Sequence, residues 1–213
     1  MAAARPVRPH AGALSDPEER AARHMLLAHA PHTAPIRALA ARIRLATGRP
    51  VPEPDPLDGG AAAEMLLLLE TPGPRMPEDP IVSRDKPGGT GANLRRFLEA
   101  ARIPRHRMLI WHVIPWVIHE PGARNRAPRV RELRAGLEWV PPLLDALPRL
   151  GVAVLAGRFA AAAEPTIRSS RPALPVLTMA HPSPTIVCTS KAIPDRIMAA
   201  LTHAGAILRQ APA

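Results

Sequence analysis

The sequence is short of cysteine and of rings. Of 213 residues, one is Cys (Cys188), none is Tyr, two are Phe and three are Trp. A single thiol excludes an internal disulfide and a cysteine-only metal site or cluster. Cys188 itself reads as a small apolar core residue. Such cysteine use fits a reducing compartment, so a cytoplasmic location is expected. Long apolar runs are missing as well. The run Met65–Leu69 falls far below the roughly 18 residues of a spanning helix, so no membrane association is expected. Met1 to His10 carries no apolar stretch of the secretory kind, and no export signal is expected there. With 46% apolar and 22% charged residues the chain is a folded globular protein. Its core has to be built from Leu, Ala, Val and Ile.

Acidic charge is in deficit. Lys plus Arg number 28 against 18 acids, for a net +10, and 26 of the 28 bases are arginine. Guanidinium is a planar fork suited to phosphate. From Arg95 to Arg134 there are ten arginines and only Glu99, Glu120 and Glu132 as acids, so +7 of the +10 lies there. That stretch is expected to track phosphates.

Along the chain, residues 1–15 read as a flexible Pro/Ala/Arg-rich arm. Asp16-Pro17-Glu18-Glu19 offers an N-cap, a proline at the first helical position and acids in the first turn, predicting a helix to about Ala30. Ile36, Leu39, Ile43 and Leu45 predict a second helix over 35–47, stopped by Gly48. Residues 49–60, with four prolines, read as a linker, which makes 16–60 an N-terminal region and 61–210 the main domain. Strands are predicted at Met65–Leu69, Arg107–Trp111, Val152–Leu155 and Leu174–Met179. Helices are predicted at 90–101, 129–147 (kinked or split at Pro141-Pro142), 159–163 and 193–208. Alternating strands and helices imply right-handed crossovers and an α/β fold: a three-layer α/β/α sandwich around a four-stranded parallel sheet. Ligands of such sheets sit beyond the carboxyl ends of the strands. Glu70, His112, Gly157 and His181 each follow one predicted strand, and periodicity alone does not require that coincidence.

Five short motifs occur along the chain. Leu69-Glu70-Thr71-Pro72-Gly73 resembles the first motif of the uracil-DNA glycosylase superfamily in its bacterial iron–sulfur branch, and His181-Pro182-Ser183-Pro184 resembles the second. Leu109–Trp116 stands where that family has the strand ending in a base-reading asparagine. Arg124-Asn125-Arg126-Ala127-Pro128 and Val154–Gly157 match two further segments. The resemblance covers about Met65 to Leu201. It implies a DNA glycosylase that removes uracil or another deaminated base in base excision repair, with DNA, single- or double-stranded and carrying a flipped base, as partner; the single cysteine allows no iron–sulfur cluster, so no cofactor is expected. It also assigns roles. His181 stabilises the departing base, while Glu70 and Thr71 serve the sugar and the water. His112, Pro87 and Trp111 contact the base. Ser183, Pro184 and Thr185 form a loop that enters the minor groove, and Arg124 and Arg126 hold phosphate.

Departures from the pattern are equally specific. The branch's four cluster cysteines are reduced to one. The base-reading asparagine is His112, whose neutral ring offers one donor and one acceptor in different directions. Its titration is expected to give a pH dependence near six to seven. The aromatic platform falls near Pro87; Trp111 or Trp116 can supply a ring instead, while core packing is expected for at least one of them. The wedge position is Thr185, for which Ile186 or Val187 can substitute. No histidine spacing suggests a metal. Two other functions come from the same sequence: a damaged- or single-stranded-DNA-binding protein without turnover, and a small-molecule hydrolase or nucleoside-processing enzyme using the same sheet edge, which the ten arginines of the 95–134 stretch disfavour.

Overall fold

Asp16 opens the first helix as its sequence implies: its Oδ1 accepts the Glu18 N–H at 2.9 Å, and Pro17 occupies the first helical position. The computed structural model describes residues 10, 12–120, 122–123 and 125–210. The predicted arm therefore lies largely outside the described residues. Its inner end does not hang free, because Ala13 and Leu14 are buried and the Leu14 N–H donates to the Asp85 carbonyl. Helices α1 (Pro17–Ala28) and α2 (Ala34–Thr47) follow. Ile36, Leu39 and Ile43 of α2 are buried. Leu45 stands in solvent, one position off the helical stripe, which corrects its expected core role.

Residues 49–60 are not a loose linker. Strand β1 (Glu53–Pro54) pairs in parallel with β3 (Ile81–Val82). Strand β2 (Met65–Leu69) lies between them in the chain. Proline fits β1 because a two-residue strand at the edge leaves its missing N–H unneeded.

The central sheet contains β2, β4 (Met108–His112), β5 (Val152–Ala156) and β6 (Val176–Met179), in the order β4-β2-β5-β6 and parallel throughout. The period of two divides its side chains between two cores. Leu66, Leu68, Leu109, Trp111, Ala153 and Leu155 meet α2 and α5 (Val140–Asp145) on one face. Met65, Leu67, Met108, Ile110, Val152 and Val154 meet α3 (Gly89–Ala100) and α9 (Ala192–Gln210) on the other. Each fully buried Leu or Ile contributes about 1.5–3 kcal/mol. The fold is thus the expected three-layer α/β/α sandwich. Pro141-Pro142 splits the long predicted helix into α4 (Val130–Leu137) and α5. Between β5 and β6 run α6 (Arg158–Ala161) and α7 (Glu164–Ser170), and α8 (Pro184–Val187) follows β6. Cys188 ends α8 on the surface and is exposed, a correction to its core reading.

The arginines are also placed differently from expectation. Arg23 of α1 is wholly buried and forks to Asp55 at 2.7 and 3.0 Å, with Glu19 at 3.1 Å and Asp85 at 3.2 Å. Arg105 bridges Asp55 (2.5 Å), Asp58 (2.8 Å) and Asp85 (2.6 Å), and Arg95 reaches Asp85 at 2.5 Å. Arg107 pairs with Glu64. Arg95 and Arg105 are therefore internal counter-ions instead of a free phosphate-tracking surface, because the linker and the turn at 83–85 bring them buried carboxylates, and Arg107 is taken up by the half-buried Glu64. The cluster ties α1 and the linker to the loop that carries Pro87.

Candidate active site

Parallel register puts the four strand ends on one edge. Leu69 pairs with His112, Leu68 with Leu155, and Ala156 with Met179. The chain runs from β2 out to β4 and then back past β2 to β5, so the order reverses between β2 and β5 and the crevice there is the natural binding position of this sheet. Glu70 and Gly157 stand on its two sides.

Gly157 is what lets the crevice form. Its φ is +94°, and a Cβ there would lie 2.4 Å from Glu70 Oε1 and 3.1 Å from His181 Cβ. The chain consequently needs glycine both for the left-handed backbone and for the close approach. The same distances place Glu70 and His181 side by side, well within the reach of one flipped nucleotide. Glu70 Oε1 accepts the Phe159 N–H at 3.1 Å, which aims the carboxylate along the crevice.

His181 is held in one tautomer. Its Nδ1 accepts the Ser183 N–H at 3.2 Å, so the neutral ring carries its proton on Nε2. Burial pushes its pKa below the ordinary histidine value, against the opposing pull of Glu70. The loop beyond it is braced from α3. Asn93 Nδ2 donates to the Pro182 carbonyl at 2.9 Å, and a Cβ on Gly89 would fall 2.0 Å from Pro184 Cγ. Ser183 and Thr185 share a hydroxyl hydrogen bond at 3.0 Å.

Two cavities meet at this point. One, of about 500 Å³, is lined by Pro87, His112, Lys86 and Leu14; the other, of about 750 Å³, is lined by Glu70, Arg126, Arg158, Phe159 and Thr185. Thr71, Asn125, His181 and Ser183 line both and form their common wall. His112 is 5% exposed, and its Nδ1 is buried without a hydrogen-bond partner. Burial, with His181 and Lys86 adding to it, pushes its pKa down to about 3. The ring is neutral at every physiological pH, which corrects the expected titration near six to seven.

Of the sequence-predicted residues, Glu70, Thr71, Pro87, His112, His181, Ser183 and Thr185 border these cavities. Pro184 packs on Gly89 behind them. Trp111 does not join them. It is 1% exposed in the core on the α2 side, because alternation along β4 turns Trp111 and His112 apart. Trp116 is buried in the same core, and among the described residues no Phe or Trp lines the smaller cavity. Arg126 borders the larger one, but Glu132 (2.6 Å) and the Ile118 carbonyl (2.6 Å) occupy its guanidinium. Arg124 lies outside the described residues. Sequence reasoning missed Asn125 as a wall residue and Lys86 altogether. Lys86 did carry a signal, being one of two lysines in an arginine-rich chain.

A central parallel sheet with a histidine and a carboxylate converging at its switch point defines an α/β protein with a crevice built for one bound group. The family model described as the uracil DNA glycosylase superfamily matches residues 58–204. The chain belongs to that superfamily. No curated protein matches it.

Proposed function

We propose that the protein is a DNA glycosylase that hydrolyses the N-glycosidic bond of uracil or another deaminated base flipped out of DNA. The observation that carries this reading is the position of His181 on the wall between the two cavities, its Nε2–H free to donate and Glu70 beside it. The base enters the cavity lined by His112 and Pro87, the sugar lies against the common wall, and the strand follows the larger groove. Cleavage breaks the bond between C1′ and the base nitrogen. The electron pair leaves with the base, and His181 Nε2–H donates to the oxygen on which that charge settles, as an oxyanion-hole donor does. Glu70 faces the sugar, offsets its oxocarbenium-like charge and orients the water whose oxygen bonds to C1′. Thr71 completes the wall. Ser183, Pro184 and Thr185 form the braced loop that meets the DNA backbone. The water's proton passes to Glu70 or to solvent.

The test is to incubate the protein with end-labelled oligonucleotides carrying uracil, hypoxanthine, xanthine or no lesion, then to cleave abasic sites with alkali. Lesion-dependent cleavage is expected. One feature favours a second reading, a lesion-binding protein without turnover: His112, a neutral ring, stands where an amide would read the base edge. Tight lesion binding without alkali-labile product would select it.

A further inference from the structure

Lys86 is the least expected group in the smaller cavity. It follows the ion-paired Asp85 and precedes Pro87, so the buried cluster of Arg23, Arg95 and Arg105 fixes the backbone that carries it. Its side chain is 21% exposed and lines the same cavity as His112 and His181. The ammonium bonds to the Asp79 carbonyl and has the Asp79 carboxylate at 3.5 Å. Its third contact is Met76 Sδ at 3.4 Å, a weak acceptor. One N–H is therefore available for a better acceptor. Burial pushes the Lys86 pKa down while Asp79 opposes that shift.

Taking the cavity as the base pocket, as in the function proposed above, we propose that Lys86 is a specificity-determining residue that donates to an exocyclic carbonyl oxygen of the base. The lining explains the choice. A neutral His112 supplies one donor and one acceptor, and no Phe or Trp among the described residues closes the cavity over a small ring. Lys86 adds a donor with no acceptor of its own. A base with oxygen at C4 of a pyrimidine or C6 of a purine (uracil, hypoxanthine or xanthine) satisfies it, whereas the amino group that cytosine or adenine carries at that position meets another donor and leaves both unpaired. Sites built around a polar partner discriminate strongly against analogues that lack it. Lys86 thereby favours a base with an oxo group at that position over its amino counterpart. Asp79 keeps the ammonium charged and oriented.

The test measures binding and release separately. Free uracil, hypoxanthine, cytosine and adenine are titrated into wild type, Lys86→Met and Lys86→Arg, with thermal unfolding verifying the fold. Base release from lesion-bearing oligonucleotides is followed in parallel. Lys86→Met is expected to weaken oxo-base binding roughly 10–100-fold, the range for a lost charged hydrogen bond, and to leave the weak amino-base binding unchanged. Lys86→Arg is expected to retain most of the preference. Equal loss for oxo and amino bases, or no change in Lys86→Met, overturns the assignment. Failure of wild type to release any base while oxo-base binding still depends on Lys86 overturns the glycosylase reading instead.

Discussion

Replacing Gly157 by Ala is the sharpest local perturbation of the crevice. The new Cβ would sit 2.4 Å from Glu70 Oε1, about 1 Å inside ordinary contact, and 3.1 Å from His181 Cβ. Two costs combine. The backbone term, an L-residue held at φ +94°, is about 1–3 kcal/mol. The contact is relieved only by moving Glu70 off the Phe159 N–H, which forfeits about 1 kcal/mol more. Stability measured by urea should fall by about 2–4 kcal/mol. Displacing the carboxylate by about 1 Å should slow single-turnover base release by about 10²-fold. Gly48→Ala is the control. Gly48 also has a positive φ (+63°) but nothing within 4 Å of its Cβ position, so it should lose only the backbone term and keep full activity. A folded Gly157→Ala protein with the wild-type rate would refute the argument that Gly157 makes room for a working Glu70.

Trp111→Ala should destabilise by about 3–5 kcal/mol, as for a buried ring, yet leave lesion preference unchanged, because the ring faces the core; an altered preference on the oligonucleotide panel would contradict its placement. His112→Asn should raise uracil release relative to purine lesions, while neither protein shows a His112 inflection between about pH 5 and 8, since the ring's pKa is pushed down to about 3. Glu132 is held down to about 2 from 4.5, first by the Arg126 hydrogen bonds and also by the Arg129 N–H. Its contribution is present above pH 4.5 and lost as pH falls towards about 2. Glu132→Gln should therefore cost about 1 kcal/mol at neutral pH, after solvent screening of the partly exposed Arg126, and nothing near pH 2 in acid-unfolding curves.

The sheet and its working edge were legible because they rest on local signals. Met65–Leu69 is a buried strand by its continuous apolar run, and Glu70, Gly157 and His181 follow strands at positions where polarity or flexibility breaks such runs. Parallel register then aligns them without further information. What escaped was long-range. Arg23 meets Asp55 across 32 positions and Asp85 across 62, and no window of sequence reveals those pairings. The same pairings turned a presumed linker into a two-residue strand with buried carboxylates, and part of a presumed phosphate surface into internal counter-ions. Trp111 was misassigned for a subtler reason: it neighbours His112 in sequence, but the period of two sends neighbours to opposite cores. Lys86 was overlooked because its role depends on a cavity assembled from the first helix, the β3 turn and the histidine loop.

The central claim is that His181 and Glu70 act together on a flipped base at the wall between two cavities. The direct measurement is the single-turnover rate of base release by His181→Ala and Glu70→Gln, with lesion-oligonucleotide binding recorded on the same samples. The account predicts a loss of about 10²–10³ in rate for His181→Ala, the range for removing one such donor. It predicts a slowed Glu70→Gln whose lesion binding is nearly intact. Wild-type rates in both variants on every lesion would contradict it.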